Sequence, residues 1–317
     1  MKENKPVVSI IVPVYNAGDS MYRCINSLKL QTYSSIEIIF VNDGSTDNSG
    51  KIIEELAKGD ERIKIIHQNN GGVTLARKNG WKMSSGELCM FVDADDFLET
   101  DAVEFFVKQF KIQNYDFITG WYDCVYENNE IKKVCCPYVP GIYSPEEYAF
   151  QSIHDAKGFE SICMGMYKRE MFDDEVFNID RKIYRGEDST TLLGALNKMK
   201  KILITDKIFY HYFQRSDSVT HTKQIDIEYI LKLKELQYNR TNFKKIYLPE
   251  YFKVLLSYYY TLKNRKEIEE YRKKVFCLFH NDLLRELDTI SKIKFYCLRN
   301  RFLEIILKSV LKIKNRP

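Results

Sequence analysis

Apolar positions in the first hundred residues fall into short β-branched runs separated by stretches with helical spacing. Val7 to Val14 is nearly continuous, as in a strand buried on both faces of a mostly parallel sheet. Pro13 and Tyr15-Asn16 close that run. Ser20 can cap a helix whose apolar positions are Met21, Cys24, Ile25 and Leu28. A second strand, Ile36 to Val41, ends at Asn42-Asp43-Gly44. The helix after it carries Ile52, Ile53 and Leu56 and is stopped by Gly59. Ile63 to Ile66 reads as a third strand, ending in Asn69-Asn70-Gly71-Gly72. A helix through Leu75-Ala76 then leads to a fourth strand, Leu88 to Val92. This alternation with short connections predicts an α/β fold with a doubly wound, mostly parallel sheet.

The pattern is more varied beyond residue 100. Thr100 to Ile112 reads as a helix capped by Thr100, and Tyr115 to Tyr126 as a strand containing Trp121 and Tyr122. Ile131 to Val134 is expected to pair with it. Ser144-Pro145-Glu146-Glu147 has the cap, first-turn proline and acids of a helix start. Gly186-Glu187-Asp188 opens a helical pattern of Leu192, Leu193 and Leu196, and Ile208 to Gln214 is strand-like. From Ile225 onward the spacing is helical, and Pro249 is expected to separate two of the helices.

Composition narrows the class. The chain has 317 residues, 44% hydrophobic and 29% charged, which suits a globular protein rather than a disordered one. No apolar run reaches the roughly 18–20 residues needed to span a bilayer, and the N-terminus does not read as a signal peptide. The eight cysteines are irregularly spaced and form no CxxC pair, as expected of reduced thiols in a cytoplasmic protein. The net charge of +4 is unevenly spread: residues 225–317 hold 21 basic and 11 acidic side chains, and residues 1–224 are acidic on balance. Two parts are therefore expected, 1–222 and a basic, helical 223–317. Within the final stretch, 291–317, eight basic residues accompany one acid and a helical apolar set. Contact with an anionic membrane surface, packing on the catalytic part and packing on a second subunit are all open readings of it. No nucleic-acid module accompanies the basic charge.

Candidate chemistry gathers at the strand ends. In an open α/β sheet, ligands bind outside the carboxyl ends of the strands. Here those ends carry Tyr15, Asp43, the Gly71-Gly72 turn followed by Arg77, and the acids Asp93, Asp95 and Asp96. An aromatic, an acid, a cation and an acid cluster along one edge suit a phosphorylated nucleotide. Asp93 and Asp95, two apart, would face the same way in an extended chain and could share a divalent metal. A helix cap is the other reading of these acids. The absence of GxGxxG argues against a dinucleotide site.

The four segments VSIIVPVYN, IIFVNDGSTDNS, NNGGVTLARKNG and GELCMFVDADD, in that order, resemble the family 2 glycosyltransferases of GT-A fold found in bacterial surface-polysaccharide and capsule synthesis. The resemblance implies a Rossmann-like sheet whose donor-binding half is 1–100 and acceptor-binding half 101–222. It implies an inverting transfer from a nucleotide sugar, with a UDP-sugar as the expected donor, to a glycan or lipid-linked acceptor, with Mn2+ or Mg2+ as cofactor. It places Pro13 and Tyr15 beside the base, Asp43 on the base, and Gly72 and Arg77 near the donor. Asp93 would touch ribose and Asp95 would bind metal. Asp188 of Gly186-Glu187-Asp188 would be the catalytic base, with Glu187 its neighbour or alternative. Glu187, Asp96 and Trp121 would lie on the acceptor side, although Asp96 could equally cap the helix. Arg215 and Ser218 would close over the diphosphate, and His221 is a candidate third metal ligand. The implied location is the cytoplasm or the inner face of the plasma membrane, as a monomer or homo-oligomer. Another nucleotide-dependent transferase and a non-catalytic sugar-binding protein on the same fold are the alternatives.

Overall fold

The structure is a computed structural model that describes residues 7–126, 131–134, 139–154, 161–214, 225–300, 303–304 and 307–308. Chain contacts divide it into two compact units, residues 1–222 and 223–317.

The first unit is built on a ten-stranded sheet. Its first three strands are β1 (Val8–Val14), β2 (Ile36–Asp43) and β3 (Ile63–Gln68). They are followed by β4 (Leu88–Phe91), β5 (Phe97–Leu98), β6 (Phe117–Tyr126), β7 (Ile131–Val134), β8 (Gly141–Tyr143), β9 (Gly165–Lys168) and β10 (Ile202–Gln214). The spatial order is β3-β2-β1-β4-β9-β6-β10-β5, with β7 on β6 and β8 on β10. Strands β3, β2, β1 and β4 run parallel, as do β6 and β10, and antiparallel β9 joins the two groups. Every residue of β1 and β2 is buried, which is why both are mostly apolar, with Ser9 and Glu37 bonded to one another between them, whereas edge strand β3 is only partly covered.

Helices α1 (Met21–Lys29), α2 (Ser49–Ala57), α3 (Val73–Met83), α4 (Ala102–Ile112), α5 (Pro145–His154) and α6 (Glu187–Leu196) complete the unit. Gly80 lets α3 lie close on the sheet, because a Cβ there would sit 2.5 Å from Ile11 Cγ2. The start of α5 is a reciprocal capping box: the Glu147 amide donates to Ser144 Oγ while Glu147 Oε2 accepts from the Ser144 amide. Thr100 does not cap α4. Asp101 stands at that position, and the Thr100 carbonyl instead accepts from the Thr32 amide.

The amino edge of the sheet is tied by one carboxylate. Glu37 Oε1 accepts from Ser9 Oγ (2.6 Å) and the Ser85 amide (2.6 Å), and Oε2 accepts from Lys64 Nζ (2.6 Å). β1, β2, β3 and the turn before β4 are thus fastened at the edge opposite the strand ends that carry the candidate chemistry. Burial opposes ionisation of Glu37, but Lys64, Ser9 and Ser85 outweigh it and hold the carboxyl down at about 2.

The second unit contains α7 (Ile227–Arg240), α8 (Lys244–Tyr259), α9 (Arg265–Leu278), α10 (Leu283–Glu286) and α11 (Thr289–Arg299). Pro249 does not break a helix as expected. It is buried inside the continuous α8. Tyr247, Leu248, Tyr251, Phe252, Leu255 and Leu256 are buried on either side of it. Burial of that order offsets the roughly 3 kcal/mol a mid-helix proline costs.

A depressed carboxyl stabilises the fold above its unfolded pKa and loses that contribution as pH falls through the folded one. Glu37→Gln is therefore expected to cost about 1–3 kcal/mol at neutral pH, as loss of charge-assisted hydrogen bonds does. It should also flatten the fall in stability between neutral pH and about pH 2, measured by urea unfolding across that range.

Candidate active site

Because β1, β2, β3 and β4 are parallel, Tyr15, Asp43, the 70–72 turn and Asp93 come to one edge of the sheet. Tyr15 directly follows β1 and is 53% exposed, leaving a ring face open, while Pro13 is buried in β1 opposite Val41. Asp43 ends β2 and is buried. Its Oδ1 accepts from the Gly71 amide (2.7 Å) and Gln68 Nε2 (2.8 Å), and its Oδ2 from the Gly72 amide (2.8 Å). The acid therefore shapes the glycine turn from within the protein. Gly44 permits this close approach: its φ is +71°, and a Cβ would lie 2.7 Å from the Asn70 amide nitrogen. Gly72, at φ +90°, starts α3. Arg181 lies over the turn and donates to Asn70 Oδ1 (2.5 Å).

The acid cluster after β4 is folded differently from the extended geometry anticipated. The Asp96 amide donates to the Asp93 carbonyl (3.1 Å), so Asp93 to Asp96 is a turn, and the period-two argument for Asp93 and Asp95 does not apply. Asp96 is 1% exposed. It accepts from Tyr210 Oη (2.5 Å) and the Phe213 amide (2.8 Å), and Tyr210 Oη in turn accepts from the Asp93 amide. Burial, with Asp95 and Asp93 nearby, pushes the Asp96 carboxyl well above its usual range. Rather than standing at the surface, this acid fastens β10 to the turn. Asp93 and Asp95 keep partial exposure.

Arg77, in the second turn of α3, is buried and bridges two acids from distant parts of the chain. Nη2 donates to Asp93 Oδ1 (2.7 Å), and Nη1 donates to Asp188 Oδ1 in the first turn of α6. Asp188 Oδ2 accepts from Ser161 Oγ (3.0 Å), whose oxygen also receives the Cys163 amide (3.1 Å). Burial raises the Asp188 carboxyl above its usual value. The Arg77 charge opposes that rise and the Asp93 charge adds to it. Glu187 is lifted to about 7, first by burial and then by the Asp188 charge, against Arg77. A carboxylate with a raised pKa is a better proton acceptor, and each Asp188 oxygen retains a lone pair.

One ligand atom each from Asp93, Cys163 and Asp188 lies within 4.8 Å of the others. Those three suit a metal poorly. Burial pushes the Cys163 thiol well above its usual pKa, and Arg77 already pairs with both acids. The oxygen donors of Asp93 and Asp95 have the chemistry of a hard divalent cation. They belong to an edge where Asp93, Asp188 and Glu187 act on the buried guanidinium of Arg77. Arg215, Ser218 and His221 lie outside the described residues. Trp121 is on β6, half-buried, with an indole Nε1 that has no acceptor among the described residues. Ser161, Cys163 and Arg181 carried no signal in the sequence, since each matters only through what the fold brings against it.

Residues 9–175 match the profile described as "Glycosyl transferase family 2". Among curated relatives, the uncharacterized glycosyltransferase EpsJ of Bacillus subtilis is 33% identical over 220 residues, covering 68% of this chain and 63% of EpsJ. Chondroitin synthase of Pasteurella multocida is 38% identical over 105 residues, which is 33% of this chain and 11% of that protein. The chain thus spans under two thirds of these relatives. Among solved structures, TarS of Staphylococcus aureus in complex with UDP-GlcNAc superposes with a TM-score of 0.69 at 16% identity, covering 94% of this chain and 88% of that one. The likeness establishes the fold as the GT-A type.

Replacing Arg77 by alanine leaves two partly buried carboxylates without their shared counter-charge. The expected loss is about 3 kcal/mol, the low end for a broken buried pair because Asp93 keeps some exposure, read by denaturant unfolding. Glu187 gives the opposite sign. A raised carboxyl stabilises below its unfolded pKa, and that contribution is lost as pH rises through about 7. Glu187→Gln should therefore match wild type in melting temperature near pH 4 and exceed it near pH 8, in thermal scans at both values.

Proposed function

Because the chain belongs to glycosyl transferase family 2, we propose that it moves a sugar from a UDP-sugar donor to a hydroxyl of a growing surface glycan, free or lipid-linked, with inversion at the anomeric carbon. The observation that carries this reading is the meeting of Asp93 and Asp188 on Arg77 at the carboxyl edge of the sheet. Two acids from different halves of the unit meet on one guanidinium, which supports a donor-side acid and a base acting at one reacting centre. UDP-GlcNAc bound to a neighbour of the same fold supports the donor class, and a polysaccharide-forming relative supports the acceptor class.

In this reading the exposed Tyr15 ring borders the base, and the glycine turn held by Asp43 offers close backbone approach to the donor. Asp95, with Asp93 beside it, would hold a divalent cation, which when bound neutralises charge on a leaving diphosphate. Asp188 accepts the proton of the acceptor hydroxyl as that oxygen attacks the anomeric carbon. The bond to the diphosphate oxygen breaks in the same displacement, so no covalent enzyme intermediate forms. Arg77 and Ser161 hold the two Asp188 oxygens, which fixes the direction from which the base approaches.

Purified protein offered a panel of nucleotide sugars is expected to release nucleoside diphosphate in step with sugar transfer, and to lose that turnover on chelation of divalent metal. Asp188→Asn and Asp95→Ala should each lower transfer by about 10²–10⁴-fold while the melting transition is retained. Full turnover by either variant would remove the corresponding role.

A further inference from the structure

Residues 178–185 form a mostly exposed segment between buried Phe177 and the start of α6. One end is held by packing: the Phe177 ring lies 5.6 Å from that of Phe172 and 5.7 Å from that of Trp81. The other end leads into α6, whose first turn carries Glu187 and Asp188. Between them the chain turns on Asp180. The Asp180 carbonyl accepts from the Ile183 amide (2.8 Å), and its Oδ1 accepts from the Lys182 amide (2.9 Å). This turn places Arg181 against the glycine turn after β3. Arg181 Nη2 donates to Asn70 Oδ1, and its Cγ and Nε would stand 3.7 and 3.9 Å from a Cβ at Gly72. The segment that supplies Asp188 thus touches the turn that Asp43 shapes.

The charge of the segment is unbalanced. Arg181, Lys182 and Arg185 accompany one acid, Asp180. Neighbouring cations already have acids. Lys78 and Lys82 pair with Asp174 (2.8 and 2.7 Å), Lys198 pairs with Asp173, and Arg77 pairs with Asp93 and Asp188. Arg181 and Lys182 are exposed, and among the described residues neither pairs with an acid. The polar partner of Arg181 is the neutral Asn70 amide. A guanidinium on a neutral acceptor readily exchanges it for an anion, because a charge-assisted bond is roughly twice as strong and a phosphate can take two N–H groups at once. A nucleoside diphosphate would bring such an anion to an edge that Asp43, Asp93 and Asp188 make negative, where the guanidinium of Arg77 is already taken.

We propose that Arg181 grips the phosphates of the nucleoside-diphosphate donor, giving up Asn70 for them, with Lys182 beside it as a second cation. This deepens the donor reading given above and rests on it. Arg181 stands seven residues before Asp188, so a donor held there also steadies the segment that leads into the base.

The test is calorimetric titration of the full chain with UDP, UMP and uridine in the presence of Mg2+. Arg181→Gln keeps a side-chain amide and loses the charge. It is expected to weaken UDP binding about tenfold, UMP binding less, and uridine binding by under about twofold, with the melting transition retained. Arg181→Lys keeps the charge without the planar fork and should recover part of the UDP loss. Raised salt should narrow the difference between wild type and Arg181→Gln for UDP. Wild-type affinity for UDP in Arg181→Gln would overturn the proposal. So would an equal loss for UDP and uridine, which would make Arg181 a support of the glycine turn rather than a phosphate contact. Failure of the wild-type chain itself to bind UDP would instead overturn the donor reading, and the role of Arg181 with it.

Discussion

The working edge of this protein depends on one buried guanidinium. Asp93 comes from the end of β4 and Asp188 from the start of α6, and Arg77 donates to both. Two bare carboxylates about 4 Å apart at an effective dielectric of about 20 would repel by about 4 kcal/mol. Arg77 reverses the sign of that term and makes the two halves of the unit converge. It also sets the electrostatic character of the site. Burial drives Asp188 and Glu187 toward the protonated form and the guanidinium drives them back; the balance leaves Asp188 above its usual value and Glu187 at about 7.

The sheet beneath Arg77 is tied together at its other edge. Glu37 ties the beginnings of β1, β2 and β3 together. Gly80, one turn after Arg77 on α3, lets that helix settle against Ile11 and Val41. The carboxyl edge is then free to carry polar groups whose partners are other site residues. Asp43 illustrates this by shaping the glycine turn, and Asp96 by anchoring β10. Two of the acids at this edge thus act on the protein itself, leaving Asp93, Asp95, Glu187 and Asp188 with surface to offer a ligand.

The second unit follows a different logic. Its core is an aromatic and leucine cluster centred on α8, with Phe252, Leu255, Leu256 and Tyr259 fully buried. Tyr259 also donates to Glu304, a buried acid that pairs with Arg272 and Lys308.

Local periodicity by itself determined the order of the first four strands and the helices between them, because alternation of two and spacing of 3.6 are properties of short segments, while β5, β8 and β9 carried no such signal. It also determined the positions of Tyr15, Asp43, Asp93 and Asp188, since strand ends and helix starts are marked by the residues that make them. Only the tertiary structure decided how those residues are used. Asp93 and Asp95 lie in a turn because the Asp96 carboxyl is recruited by Tyr210 and Phe213, more than a hundred residues away. Pro249 stays within a helix because side chains around it are buried by other elements. Ser161 and Cys163 matter for where they end up, and nothing near them in the chain reveals it. The physical reason is the same throughout: backbone preference is local, whereas the partner of a buried charge or hydrogen bond is supplied by whatever part of the chain the fold packs against it.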